Sequence, residues 1–433
     1  MVERSDFIQR LAFLFFLLLP FQFALNPSEG FDVALSRVAV LGIGGLFLLE
    51  RLRNGSWMLP ARRDLFFCMG FIFLAILSLL WAREPLWTLR KVFFLISFLP
   101  LWFLLSDMFV RRGVVAVRDV ASGFFFGSIA GAVVALLQFS SQFVFSLDRV
   151  LDFWLSRMYP IFLGEAFAQS VAIHPSLLVN IAGKTILRAV GVFPDPHVAA
   201  FYFGMAIPFG VWLGMTAVPT KRTIFFLGTG ILFLADLCTF SRGGYVGLFV
   251  MLIFFGAFSF SHMRERISFR QKKKVALVMM VILLFSLLIA PVRNRLMDTL
   301  SVTEGSNSAR IALWGEAISH IKERPLLGYG LGNYPLQVKP STEYREPIYI
   351  HNIYLDIWAD LGLIGLIFFL GIFFLPIGVF FVRGSFSSIA FPAVLALVLF
   401  LAHSFFEDIL FSVHIFPVFL FLIATIAWYN KEQ

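Results

Sequence analysis

Apolar residues in this chain come in unbroken stretches, not in alternation. Stretches of about 17–25 apolar residues, long enough to cross a bilayer as a helix, lie near 9–25, 33–50, 65–82, 92–109, 120–145, 196–216, 223–240, 243–262, 275–291, 353–381, 387–405 and 411–429. A membrane β-barrel would instead show short alternating segments. The pattern predicts an all-α, polytopic integral membrane protein, a single helical domain over 1–433 with about twelve transmembrane helices. Two longer polar stretches interrupt it, 146–195 and 292–350. No repeat relates the two halves, which weakens a two-half transporter reading.

Composition agrees with the pattern. The chain is 59% hydrophobic and 14% charged, against about a quarter charged in soluble domains, and its mean hydropathy is +0.87. Charge then orients the helices. Short loops on one side carry Arg51, Arg53, Arg62, Arg63, Arg111, Arg112, Arg118, Lys221, Arg222 and a basic run from Arg264 to Lys274. The opposite side has one short basic loop, with Arg83, Arg90 and Lys91. By the positive-inside rule both termini are cytoplasmic and the two long loops lie outside. The first apolar stretch, read as an uncleaved helix, is followed by no small-residue cleavage site. Net charge of +9 does not imply nucleic acid, because the aromatic residues lie in the apolar runs and not among the basic ones. Cys68 and Cys238 fall inside predicted helices, and neither they nor the histidines show metal-ligand spacing.

The polar chemistry therefore belongs to the two long loops. In the first, Leu147, Val150, Leu151, Trp154, Leu155 and Met158 repeat at helical spacing, with Asp148, Arg149, Asp152 and Arg157 elsewhere. This predicts an amphipathic helix lying in the membrane interface. In the second, a helix is expected from near Ser308 to just before Pro325, followed by the turn Gly328-Tyr329-Gly330-Leu331-Gly332-Asn333. No strand precedes that turn, so a dinucleotide site is not supported.

Several residues are candidates for chemistry. His351 and Asn352 stand where the second loop meets the helix 353–381, and Gly362 and Gly365 follow within it. An imidazole there can act as a general base, since the helix dipole disfavours its protonated form; capping of the helix by the pair is the simpler alternative. Ser241 and Arg242 open a tight turn at the outer face, where the guanidinium suits a phosphate bidentately or merely anchors the helix at the interface. Arg310, near a helix start, is unfavourable for the dipole and hints at a nearby anion. Arg188, Arg90 and Lys91 complete a set of outer-face cations. Asp356 and Asp360 read either as orienting polar neighbours or as marking a wet cavity, and Asp236 as pairing with a cation.

Three stretches carry a resemblance. They are Phe240-Ser241-Arg242-Gly243-Gly244-Tyr245, then Ser308-Ala309-Arg310 with Trp314, Pro325, Gly328 and Gly330, and the pattern His351-Asn352-x9-Gly362-x-x-Gly365. In order and placement they resemble the bacterial O-antigen ligase family, which also holds O-antigen polymerases and protein O-oligosaccharyltransferases. The resemblance implies His351 as the catalytic residue, and Arg242 and Arg310 as ligands of the donor diphosphate. Arg188, Arg90 and Lys91 are implied as further ligands of the same diphosphate, with Ser241 and Asn352 in support. It implies an inverting glycosyltransferase of the bacterial inner membrane with a periplasmic active site, covered by the loop 292–350. The donor would be an undecaprenyl diphosphate-linked glycan and the acceptor the lipid A-core of lipopolysaccharide. No metal, cofactor or nucleic acid is implied; membrane lipids are. An O-antigen polymerase, with a second lipid-linked glycan as acceptor, shares these features. A lipid-linked glycan flippase or other transporter is the more distant alternative, since it needs charges along a path through the membrane.

Overall fold

The computed structural model describes residues 2–28, 31–55, 58–173, 176–181, 183–261, 293, 305–344 and 348–432. The chain is an all-α polytopic membrane protein. It opens with α1 (Val2–Leu18), a hairpin of β1 (Ala24–Ser28) and β2 (Phe31–Ala34), and the helices α2 (Leu35–Asn54), α3 (Arg62–Leu77), α4 (Pro85–Arg112) and α5 (Val114–Ser141). Then come short α6 (Leu147–Phe153), α7 (Tyr159–Leu163) and α8 (Glu165–Ile173), a second hairpin of β3 (Leu178–Ile181) and β4 (Lys184–Leu187), and the long helices α9 (Pro196–Thr216), α10 (Pro219–Cys238) and α11 (Arg242–Ser261). The rest holds α12 (Gly305–Glu323), α13 (Pro335–Val338), α14 (Ile353–Arg383), α15 (Ala390–His403) and α16 (Ile415–Glu432).

Each predicted apolar stretch within the described residues falls on a helix, and the stretch 275–291 lies outside them. Among the described residues, seven helices are long and apolar enough to cross a membrane. Burial sorts them. The most apolar windows of α9 and α16 are 89% and 83% buried, against 28% for Arg62–Leu80, so the first two form the centre and α3 faces outward. Helix α9 packs on α5, α10 and α15, while α16 packs on α4, α14 and α15. Close approach of α5 to α1 depends on small residues: a Cβ on Gly123 would stand 2.5 Å from Phe13 O, and one on Gly127 2.4 Å from Leu17 O.

Two features depart from a plain helical reading. Both hairpins are unpredicted antiparallel ladders; in the second, Leu178 pairs with Leu187 and Ile181 with Lys184. In the first loop, α6 continues through a π-helical turn, Trp154–Met158, into α7. Val150 and Trp154 are buried there, while Asp148, Arg149, Asp152 and Arg157 are exposed.

Helix α14 is broken at Gly362, where φ is 67° and ψ −174°. A break at membrane depth leaves amides without partners unless other protein supplies them. Here the segment after α12 does so: Leu363 N–H donates to Pro325 O at 2.8 Å and Ile364 N–H to Leu326 O at 3.4 Å. In return Tyr329 and Gly330 donate to the carbonyls of Ala359 and Asp360 at 3.0 and 2.8 Å. The segment carrying Arg310 is thereby clipped onto the helix that starts beside His351.

Candidate active site

The site is built where several helix ends meet. Asn352 is the N-cap of α14; its side-chain oxygen accepts from Tyr354 N at 3.0 Å and Leu355 N at 3.1 Å. The helix start is tied to the end of α15, with Ile353 N–H on Ser404 O at 3.0 Å and Tyr354 Oη on Leu401 O at 2.7 Å. Capping thus falls to Asn352 alone. His351, with a left-handed φ of 54°, turns its ring elsewhere.

That ring meets Glu407, in the short connection between α15 and α16. His351 Nδ1 lies 2.9 Å from Glu407 Oε2. Arg310 Nη2 donates to Glu407 Oε1 at 2.6 Å. Trp314, one turn beyond Arg310 on α12, donates from Nε1 to Ile350 O at 3.1 Å and packs edge-on against Phe405. Two anchors on one helix face therefore hold α12 across His351 and Glu407. The anion that the position of Arg310 suggests is present in the protein itself.

Glu407 is buried, with 8% of its side chain accessible, whereas His351 is 36% accessible. Burial drives the Glu407 carboxyl upward, but His197, the hydrogen bond from His351 and the Arg310 guanidinium together outweigh it and hold it below the usual carboxylate range. With Glu407 ionised, the hydrogen bond assigns the His351 proton to Nδ1, which leaves the Nε2 lone pair for a ligand.

Arg242 and Ser241 stand at the turn between α10 and α11. Both are buried. Phe240 just before them is, with His351, one of the two non-glycine residues at positive φ among the described residues; strained backbone of this kind concentrates at functional sites. The turn is clamped from the first long loop. Arg188 Nε donates to Thr239 O at 2.6 Å and Nη1 to Ser176 O at 3.2 Å, while Ala189 N–H reaches Cys238 O at 2.9 Å. Ser241 Oγ lies 3.0 Å from His197 Nδ1 and 3.3 Å from His403 Nε2. His197 Nδ1 in turn stands 3.4 Å from Glu407 Oε1. Asp195, the N-cap of α9, accepts from His197 N at 2.7 Å and Val198 N at 2.9 Å.

The structure places Lys91 and Arg90 in other company. Lys91 Nζ lies 3.5 Å from Asp360 Oδ2 and 4.7 Å above the Phe411 ring. Asp360 also accepts from Gly332 N and, at 3.1 Å, from Tyr334 N, so it organises the glycine turn. Arg90 stacks on Tyr344 at 4.6 Å. Asp236 is fully buried, and its carboxyl oxygens make no hydrogen bond among the described residues, so it is not the cation partner its position suggests.

The arrangement is thus a carboxylate shared by a guanidinium and two imidazoles, adjoining a serine next to a second arginine. Sequence reasoning passed over Glu407, His197 and His403. The signal for Glu407 was present: Glu407 and Asp408 are two acids in a short connection between apolar stretches, on the face that carries His351. No curated protein matches the chain. Residues 225–370 match the family model described as O-antigen ligase, a span that includes Ser241, Arg242, Arg310, His351 and Asn352 but not Glu407. Over that part of its length the chain is similar to the O-antigen ligase family, whose members are glycosyltransferase-like enzymes.

Proposed function

We propose that the protein is an O-antigen ligase, transferring a glycan from undecaprenyl diphosphate to the lipid A-core of lipopolysaccharide at the periplasmic face of the bacterial inner membrane. One observation carries the reading: Glu407 holds the Nδ1 side of the accessible His351 at 2.9 Å. A ring held this way presents Nε2 as a base. In the reaction Nε2 takes the proton of an acceptor hydroxyl, and the freed oxygen attacks the anomeric carbon of the donor sugar. The bond from that carbon to the diphosphate breaks on the opposite face, so the configuration inverts and undecaprenyl diphosphate leaves. Glu407 stabilises the imidazolium that forms, as a carboxylate does in any base-orienter pair.

Arg242 and Arg310 neutralise charge growing on the leaving diphosphate, the electrostatic role that is usually the largest in catalysis. Arg188, Arg90 and Lys91 enter the reading as framing cations, Arg188 through the turn that bears Arg242 and Lys91 through Asp360 and the glycine turn. In this reading the second long loop, through residues 305–344, covers the site. The diphosphate already activates the anomeric carbon, so the reaction calls for no metal ion, cofactor or nucleotide.

The spacing of His351-Asn352 from Gly362 and Gly365 favours ligase over polymerase. Deletion of the gene in the native host, read by a lipopolysaccharide gel, separates the two. Loss of every capped species with accumulation of donor is the expected result. Capping by a single repeat unit without a ladder would make the protein a polymerase.

A further inference from the structure

Glu407 has two oxygens and three nitrogen neighbours. Oε2 receives His351 at 2.9 Å. Oε1 receives Arg310 at 2.6 Å and lies 3.4 Å from His197 Nδ1. That same Nδ1 is 3.0 Å from Ser241 Oγ, which also accepts from Gly244 N–H at 3.3 Å. Ser241 directly precedes Arg242 at the start of α11. His197 is therefore the side chain that stands between two parts of the site: the turn bearing Arg242, and the cluster of Arg310, Glu407 and His351. Its own backbone is held by the Asp195 cap, so the ring is aimed from a rigid helix end and only 21% of it is accessible.

His197 Nδ1 touches both groups, Ser241 Oγ by a hydrogen bond and Glu407 Oε1 by a 3.4 Å polar contact. His403 reaches Ser241 but stacks flat on Phe201, with ring centroids 3.6 Å apart. Two arginines can act on one diphosphate only if their spacing is set, and those two come from helices about 68 residues apart in the chain. We infer that His197 is a positioning residue, bridging the Ser241 hydroxyl and the Glu407 carboxylate through Nδ1 and so fixing Arg242 relative to Arg310 and His351. This rests on the reading that both arginines serve one diphosphate.

The test uses the full-length protein in nanodiscs with undecaprenyl diphosphate-linked glycan and lipid A-core as substrates. An Asn side chain places its amide nitrogen where the imidazole carries Nδ1, and has no atom at the place of Nε2. His197→Leu is expected to lower kcat by roughly 10–100-fold, the effect of losing a hydrogen bond to a charged group, with little change in donor KM. His197→Asn is expected to recover most of that loss. An Asn variant as slow as the Leu variant would show that the ring itself does chemistry and would overturn the bridge. Wild-type turnover in the Leu variant would overturn it as well.

A second readout does not depend on transfer. Melting temperatures of Ser241→Ala, Glu407→Gln and the double variant form a cycle, measured once in the wild-type background and once in the His197→Leu background. Coupling in the first cycle that vanishes in the second supports the bridge; equal coupling in both removes it. A chain that transferred no glycan would sink the ligase reading alone, while the cycle would still decide for or against His197.

Discussion

At the scale of single residues, Glu407 is the group that joins Arg310, at its helix start, to His351, the base of the proposed reaction. The guanidinium at an unfavourable place in the dipole is offset by a carboxylate 2.6 Å away. The imidazole is fixed by the other oxygen of the same group. His351→Ala should therefore lower turnover by about 10²–10⁴-fold, the usual worth of a general base, while donor binding stays near normal. Glu407→Gln should also be slow, because a neutral amide neither stabilises the imidazolium nor pairs with Arg310. Near-normal turnover of purified His351→Ala would remove the base from the mechanism. The same carboxylate makes a pH prediction. Its pKa is held below the ordinary value of 4.5 in the folded state, so the unfolded chain binds its proton first as pH falls. The stability it contributes is full above about pH 5 and is lost as the pH drops through the folded value. Melting temperature recorded from pH 7 downward should decline below about pH 4.5 in the wild-type protein, with a shallower decline in Glu407→Gln. Identical slopes would mean that the Glu407 contacts add nothing in solution.

At the scale of elements, the break in α14 couples the second long loop to the membrane helices. A Cβ on Gly362 would stand 2.1 Å from Leu326 O, against backbone that cannot swing away. The left-handed conformation adds about 1–2 kcal/mol for any residue with a side chain. Gly362→Ala should lower the melting temperature and, by pushing the Pro325–Gly330 segment outward, shift α12 and slow transfer. Gly378→Ala in the same helix meets nothing within 4 Å, and should be neutral or stabilising by about 0.5–1 kcal/mol. Equal melting temperatures for the two variants would show that the clip contributes nothing to stability. This element also marks where sequence reading stops. The stretch 353–381 is apolar throughout, so nothing in its hydropathy separates a continuous helix from one opened at Gly362; the glycine is intelligible only once Pro325 and Leu326 are seen to supply the missing acceptors. The helices themselves were legible because burial in lipid demands long apolar runs. Helix α9 begins at Pro196, where a capping Asp195 and a proline coincide. The two hairpins were not legible, being four or five residues a strand. Of the site, Ser241, Arg242, Arg310 and His351 stood out by their place at helix ends facing one side. Glu407 did not, because its partners lie 56 and 97 residues away and a pair of acids in a short turn reads as ordinary solvent-facing polarity.

At the scale of the whole molecule, the question is whether residues from distant segments act as one site. Arg242 opens α11 and Arg310 lies in α12, and the two are linked through Ser241, His197 and Glu407. If both hold one diphosphate, each needs the planar fork of a guanidinium, and Lys, which keeps the charge but not the fork, should fail at either place. A lost charge-assisted contact to the leaving group costs on the order of 2–4 kcal/mol of activation free energy, or roughly two to three decades in rate. Removal of one contact also spoils the geometry the other depends on, so the double variant Arg242→Lys with Arg310→Lys should be much less impaired than the product of the two single losses. Arg310 has a second duty, the pairing with Glu407, so Arg310→Lys should in addition weaken the hold on His351 and be the slower of the two singles. The measurement is single-turnover transfer in nanodiscs at matched expression for both singles and the double. Wild-type rates for Arg242→Lys would return that residue to an interfacial anchor. Losses that multiply strictly would place the two arginines at separate points of the reaction, and the one-site arrangement would have to be abandoned even with His351 retained as the base.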